Sequence, residues 1–255
     1  ANGKVTSYGY TESYLDPGVT TPANQSGTND AKGNVTRIVD ANGNTVERWY
    51  DLANRLVTER TYGSNTSSAN IGQYAHYVYD GEGHLRFSIS AEGLVTEYGY
   101  QATGELLYTR SYPGNSYTAG ALTAPSEAAM NTWLAGITDK STSQLMTYAY
   151  DVRGNMLTSV NYGSADAAGN GTAAEGYSRT DYVYDANGRL LSRTGLGQVS
   201  ETFVYDGMDR VIASTDLNGG TTSVVFNDAA TQTVVTLANG QVTTSTYNKA
   251  GDLVS

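Results

Sequence analysis

The chain has 255 residues, of which only 16% are charged, with a formal net charge of −10, no cysteine, and 21 Tyr against 3 Phe and 2 Trp. That balance repels phosphate backbones and excludes thiolate catalysis, disulfides and Cys-based metal sites, so no nucleic-acid partner is expected. The longest apolar runs fall far short of the ~20 residues a membrane-crossing helix needs.

From the N-terminus, residues 2–10 (NGKVTSYGY) read like the second half of a unit seen whole at 92–100, and they carry neither a starting Met nor an apolar signal core. A cut fragment of a longer protein is therefore expected. An insertion near 13–31 precedes the turn D-A-N-G at 40–43, and the strand that follows ends in Tyr50-Asp51. A second insertion near 63–75 leads to Tyr77-Val78-Tyr79-Asp80 with Gly83, and Tyr98-Gly99-Tyr100 follows with Gly104. The third insertion, 112–146, contains ALTAPSEAAMNTWLAGI, where Met130, Trp133, Leu134 and Ile137 recur at helical spacing behind Pro125 and Glu127. This predicts a short helix near 123–137 that packs its apolar stripe on a sheet. Tyr148 and Tyr150-Asp151 with Gly154 come next, then a fourth insertion near 162–178. The phrase is complete at Tyr182, Tyr184, Asp185, Gly188, Arg189 and Leu190, and it returns at Tyr205-Asp206, in weaker form at Phe226-Asn227, and at Tyr247 with Gly251.

Taking the last aromatic of each phrase, from Tyr10 to Tyr247, gives gaps of 40, 29, 21, 50, 34, 21, 21 and 21 residues. The period is 21, and the longer gaps hold the insertions, which belong in surface loops. A second Gly landmark lies about ten residues into each unit, as at Gly93, Gly219 and Gly240, so each unit has two turns and the alternating residues between them form strands. The expected fold is all-β: antiparallel hairpins of about 21 residues in a curved or spiralling sheet, running through 1–255 as a single repeat region. Asp first and Gly fourth fit a type I turn. The paired tyrosines are expected to stack as cross-strand ladders. Gly197 lies eight residues before Tyr205 where Gly93 lies seven before Tyr100, which a one-residue bulge would absorb.

Reacting groups are scarce. His84, just past a turn glycine, reads as a solvated hairpin residue and His76 as a loop residue; no G-x-S-x-G accompanies them. Asp40, Asn42 and Asn44 faintly suggest a calcium loop, but the glycine comes one place early and Glu47 is too near, so turn chemistry accounts for them better. Five recurring turn aspartates fit a scaffold rather than an acid/base pair. No enzyme activity, cofactor or metal is expected.

The phrase Y-D-x-x-G-R-L with a following x-x-G-x-x-T-x-Y-x-Y resembles the YD repeat of the Rhs family, with His84 and Asn155 in the Arg position of two copies. The resemblance implies a β-ribbon wound into a hollow shell. In bacterial Rhs proteins and insecticidal toxin complexes such shells enclose a C-terminal toxin, and in teneurins a similar shell belongs to a cell-surface adhesion protein. The self-cleaving region that ends the bacterial shells has no match in this sequence. The implied role is a structural shell segment, exported to the bacterial surface or secreted, whose partners are the rest of the shell and an enclosed polypeptide cargo. The alternative is a surface adhesin whose tyrosines stack on carbohydrate.

Overall fold

In the computed structural model of the protein, residues 7–9, 34–40, 42–63 and 72–255 are described. Tyr10, the 13–31 insertion and most of the 63–75 insertion lie outside them. The chain forms two compact units, one of residues 1–145 with 164–172 and one of 146–163 with 173–255.

In the first unit, β1 (Ser7–Gly9), β2 (Arg37–Val39), β3 (Thr45–Tyr50), β4 (Leu56–Tyr62), β5 (Gln73–Tyr79), β6 (Leu85–Ile89), β7 (Leu94–Tyr100) and β8 (Leu106–Ser116) each pair antiparallel with the next. Residues 73–75, assigned from sequence to an insertion, thus begin a strand. Alternation puts every second residue on one face, and there Trp49, Val78, Phe87, Ile89 and Val95 are buried. The helix α1 (Glu127–Gly136) packs on the part of that face formed by Val78, Phe87, Ile89 and Val95. Ser126 caps it, its hydroxyl accepting from the Ala129 N–H at 3.2 Å, and Glu127 sits at the positive end of the helix dipole. Met130 is fully buried against Val78, Phe87, Ile89, Val95, Tyr112 and Ile137. Trp133 meets Tyr112 and Tyr117 edge-on, at centroid distances of 5.5 and 6.0 Å. The helix packs by its apolar stripe, as the spacing predicts.

The second unit begins with most of β9 (Gln144–Tyr150) and continues through β10 (Met156–Asn161). The short hairpin β11 (Ser164–Ala165) and β12 (Gly171–Thr172) that follows belongs to the first unit. Then β13 (Ser178–Tyr184), β14 (Leu190–Thr194), β15 (Ser200–Tyr205), β16 (Val211–Thr215), β17 (Thr221–Asn227), β18 (Gln232–Thr236) and β19 (Val242–Thr246) run antiparallel, each to the next, with β13 also paired to β10. These are the expected tandem hairpins. Val183, Val204 and Val225, which stand in their units where Val78 stands in its own, are 52%, 51% and 60% exposed, against 4% for Val78.

Candidate functional site

The recurring element is the Asp turn. At Asp80 the Gly83 N–H donates to the Asp80 carbonyl (3.2 Å), the Asp80 N–H donates to the His84 carbonyl (3.0 Å), and the Asp80 Oδ1 accepts from the His84 N–H (2.8 Å). Asp51, Asp151, Asp185 and Asp206 build the same loop, and the fourth residue takes a left-handed φ: +97° at Gly83, +82° at Gly154 and +83° at Gly188. This is a type I turn closed by a left-handed residue. Gly104 (φ +96°) follows Gln101 and Gly251 (φ +88°) follows Asn248, so the glycine is held where the aspartate is not. At Asp51 and Asp206 the fourth residue is Asn54 or Asp209 instead, both left-handed. At Asp40 the carboxylate accepts from the Asn42 and Asn44 backbone and the Asn44 side chain, which is turn chemistry.

The turns at Asp51, Asp80, Asp185 and Asp206 also hold the next unit. The second carboxylate oxygen accepts from the side chain of the residue after the left-handed position: Arg55 Nε to Asp51 (2.7 Å), Arg189 Nε to Asp185 (2.6 Å), Arg210 Nε to Asp206 (2.8 Å). That cation lies over the aromatic ring of the following unit, Arg55 at 4.5 Å from the Tyr79 centroid, Arg189 at 4.9 Å from Tyr205 and Arg210 at 4.1 Å from Phe226. His84 fills the same place, 3.2 Å from Asp80 and stacked at 4.7 Å on Tyr100. The tyrosine hydroxyl then reaches back one unit to a backbone carbonyl: Tyr50 to Val35 (3.0 Å), Tyr79 to Leu56 (2.9 Å), Tyr100 to Leu85 (3.0 Å) and Tyr205 to Leu190 (2.9 Å). At the hairpins ending in Tyr50, Tyr79, Tyr100, Tyr184 and Tyr205 the register shifts by one residue at that tyrosine, so the bulge falls beside the carbonyl the next tyrosine uses.

In the second unit the column of turns is further tied by charge. Arg189 Nη1 donates to the Asp209 carboxylate (2.7 Å) and Arg210 Nη1 to Asp228 (2.6 Å), while Arg153 donates to the Ala186 carbonyl. The Arg189 backbone N–H, reinforced by its guanidinium, holds the Asp185 carboxyl below the usual carboxylate range against a desolvation that opposes it. Asp228 and then Asp206 hold Arg210 firmly charged.

Several expectations need correcting. The described paired tyrosines do not line up with one another across the strands: Tyr77 faces Ser88, Tyr79 faces Leu85 and Tyr98 faces Thr109, because the intervening strand of each hairpin separates the Tyr-bearing strands. Arg or His fills the gap. No bulge is needed at 197, for Gln198 takes the left-handed conformation (φ +56°) seven residues before Tyr205, and β14 and β15 stay in register. His76 is in β5 and 1% exposed, not in a loop, with Nδ1 3.1 Å from the Thr58 hydroxyl. His84 is a clasp member, partly buried, and not a freely solvated residue. Tyr150 and Tyr184 end β9 and β13 just before their turns, and the Tyr247 N–H donates to Thr231 (2.8 Å).

Sequence reasoning missed a buried polar cluster in the first unit. Glu97, 3% exposed, accepts from Tyr112 (2.5 Å), Arg86 Nη2 (2.8 Å) and Tyr108 (2.8 Å). Burial opposes its charge, yet the bonds from Tyr112, Arg86 and Tyr108 win and keep its carboxyl below the ordinary value, while burial and Glu97 push Tyr112 well up. Gly99 makes this possible, because a side chain there would overlap the Tyr108 ring, at 2.1 Å from the place of a Cβ. A glycine inside a strand was the available signal. Glu47 is likewise buried, accepting from Tyr62 (2.8 Å) and Arg60 (3.4 Å).

Chemically the arrangement is cohesive. The turn carboxylates already hold backbone N–H groups and cations, and among the described residues no group of three or more His, Asp or Glu is placed to hold a metal ion. The tyrosine rings of the clasps are covered by Arg or His, which leaves those faces closed to a stacking sugar. No described helix is long and apolar enough to cross a membrane.

Tandem hairpins joined by a repeated Tyr, Asp and Arg clasp define a β-hairpin repeat protein. Residues 131–255 match the teneurin YD-shell family model and residues 30–67 the RHS repeat model. The chain is built from repeats of the Rhs/YD-repeat family. No curated protein matches it. Among solved structures it is similar to the crystal structure of TcdB2-TccC3-Cdc42 (TM-score 0.54) and to the Photorhabdus luminescens Tc holotoxin pore (TM-score 0.53), at 16% identity in both. TcdB2-TccC3 without its hypervariable C-terminal region is matched equally, with TM-score 0.53. In all three the match covers 89% of this chain and 11% of the other, so the chain spans about a tenth of those proteins and the likeness is one of fold.

Proposed function

We propose that this chain is a wall segment of an Rhs-type shell, part of a longer exported protein that encloses and shields a polypeptide cargo such as a toxin. The observation that carries this reading is the clasp. Consecutive hairpins are joined by main-chain ladders and, at one end, by a cation held over the next aromatic ring and a hydroxyl returned to the previous carbonyl. Such a seam makes a continuous barrier with few unpaired backbone groups, which is what retention of an extended polypeptide requires. The repeat-defining residues, Tyr-Asp, Gly and Arg, act in this reading as mortar and hold no substrate.

The test is protease protection of the region downstream of this segment in its natural open reading frame. The cargo should resist added protease in the intact protein and become sensitive when Arg189 and Arg210 are both replaced by Ala. Equal sensitivity in both would remove the shielding role. Selective binding of the unaltered chain on a glycan array, lost on replacing the paired tyrosines, would favour the adhesin instead.

A further inference from the structure

Two successive joints lack the cation of the clasp. Glu105 follows the left-handed Gly104 and Asn155 the left-handed Gly154, where other turns place Arg or His. At these joints the period stretches to 50 and then 34 residues, and each gap holds an insertion. The two insertions bond each other. The Lys140 N–H of the first donates at 3.0 Å to the Ala167 carbonyl of the second, in the turn between β11 and β12. From β8, Arg110 Nη2 donates to the Gly169 carbonyl of that turn at 2.8 Å. Glu97, the cross-strand partner of Arg110, is already held by Tyr112, Arg86 and Tyr108. Gly169 is buried at φ +91°, and a Cβ there would stand 2.8 Å from Arg110 Nη1 and 3.1 Å from the Lys140 side chain, so the seat accepts only glycine.

These contacts lie within the first unit, yet the hairpin that makes them, residues 164–172, is emitted by β10 and β13 of the second. Its root is closed. Asn161 pairs with Ser178, the Tyr162 and Tyr177 rings meet at 5.9 Å, and a side chain at Gly163 would overlap the Glu175 carbonyl. We propose that this hairpin is a latch that makes the two units unfold as one across the joints without a clasp cation. A two-stranded hairpin alone is marginal in water, so β11 and β12 persist only with help from both ends. The β10–β13 ladder holds the root together and keeps the turn at a high effective concentration for its seat, while Arg110 and Lys140 hold the turn itself. Unfolding of the second unit frees the root, and the entropy of closing residues 162–177 must then be met by the seat alone. Unfolding of the first unit removes the seat.

The chain's two tryptophans, Trp49 and Trp133, both belong to the first unit, so their fluorescence reads it alone, while amide exchange of β15–β18 reads the second. In urea the two midpoints should coincide. Gly219→Ala, a change in the second unit, should lower both by about 0.3–0.5 M. In chains carrying Gly169→Val, whose side chain cannot enter the seat, the amides of 164–172 should lose protection. Gly219→Ala should then shift the β15–β18 midpoint while the tryptophan midpoint stays where it was. Arg110→Met, which keeps an apolar stem and removes the donor, should uncouple the units in the same way, and it stands in for Gly169→Val should that chain fold poorly. A tryptophan midpoint that ignores Gly219→Ala in the otherwise unaltered chain, or that still follows it once the latch is broken, overturns the proposal.

Discussion

The fourth position of each turn is read by the sign of φ, and three substitutions separate the causes. Gly219 has φ +81° with open space where a Cβ would stand, so Gly219→Ala meets only the left-handed penalty of about 1–2 kcal/mol. The stiffer unfolded chain returns about 0.4–1 kcal/mol, leaving a net loss of about 1 kcal/mol. Gly93 has the same φ, +81°, but its Cβ would stand 2.7 Å from the Tyr117 carbonyl oxygen, and its own carbonyl accepts from the Tyr117 N–H at 2.9 Å. Backbone displacement and a weakened bond raise the loss for Gly93→Ala to about 3 kcal/mol. Gln198, at φ +56°, should behave oppositely: Gln198→Gly relieves the strain and gains about 0.5–1 kcal/mol after the added entropy of glycine. Urea unfolding followed by circular dichroism, with unchanged m, should order the midpoints Gln198→Gly, wild type, Gly219→Ala, Gly93→Ala. Equal losses at 93 and 219, or destabilisation by Gln198→Gly, would refute the reasoning.

Tyr205→Phe removes the hydroxyl bond to Leu190 and should cost about 1 kcal/mol, and a double-mutant cycle with Arg189→Met should show coupling, because Arg189 lies over the same ring. Glu97 has a folded-state value below the ordinary 4.5, so the stability it contributes is present above that pH and is lost as pH falls through the folded value; the acid side of a melting-temperature profile should flatten in Glu97→Gln. That variant also leaves Arg86 without its carboxylate and should lose about 3 kcal/mol at pH 7. Met130→Ala, at a fully buried site, should cost about 2–5 kcal/mol, whereas Ser126→Ala costs about 1 kcal/mol through the lost cap; both are read by thermal unfolding.

The period of 21, the Asp and Gly of the turns, and α1 were legible because each rests on local chemistry: a side-chain cap, a left-handed residue, an apolar stripe at helical spacing. The partners of the tyrosines were not. The spacing shows that Tyr184 and Tyr205 recur, but their strands are separated by β14, and only the register shows Arg189 lying between successive units. His76 reads as a loop residue in the sequence, and nothing local marks Glu47, Arg60 and Glu97 as buried. Glu97 is buried where Tyr112, from the insertion bearing α1, bonds it, and Arg60 where Tyr62, Tyr74 and Gly72 pack around it, long-range events with no local signal beyond Gly99. Gln198 was not legible as the left-handed residue because a glycine, Gly197, stands directly beside it and glycine is the usual occupant of that conformation.

The clasp joins each hairpin only to those beside it, and Tyr79 grips Leu56 as Tyr205 grips Leu190 although 29 residues separate Tyr50 from Tyr79 and 21 separate Tyr184 from Tyr205. The extra residues fall between β4 and β5, away from the Asp turn, and the seam is the same in both units. A lineage can therefore lengthen such a ribbon by duplicating a unit, or decorate it by lengthening one loop, and leave every other joint as it was.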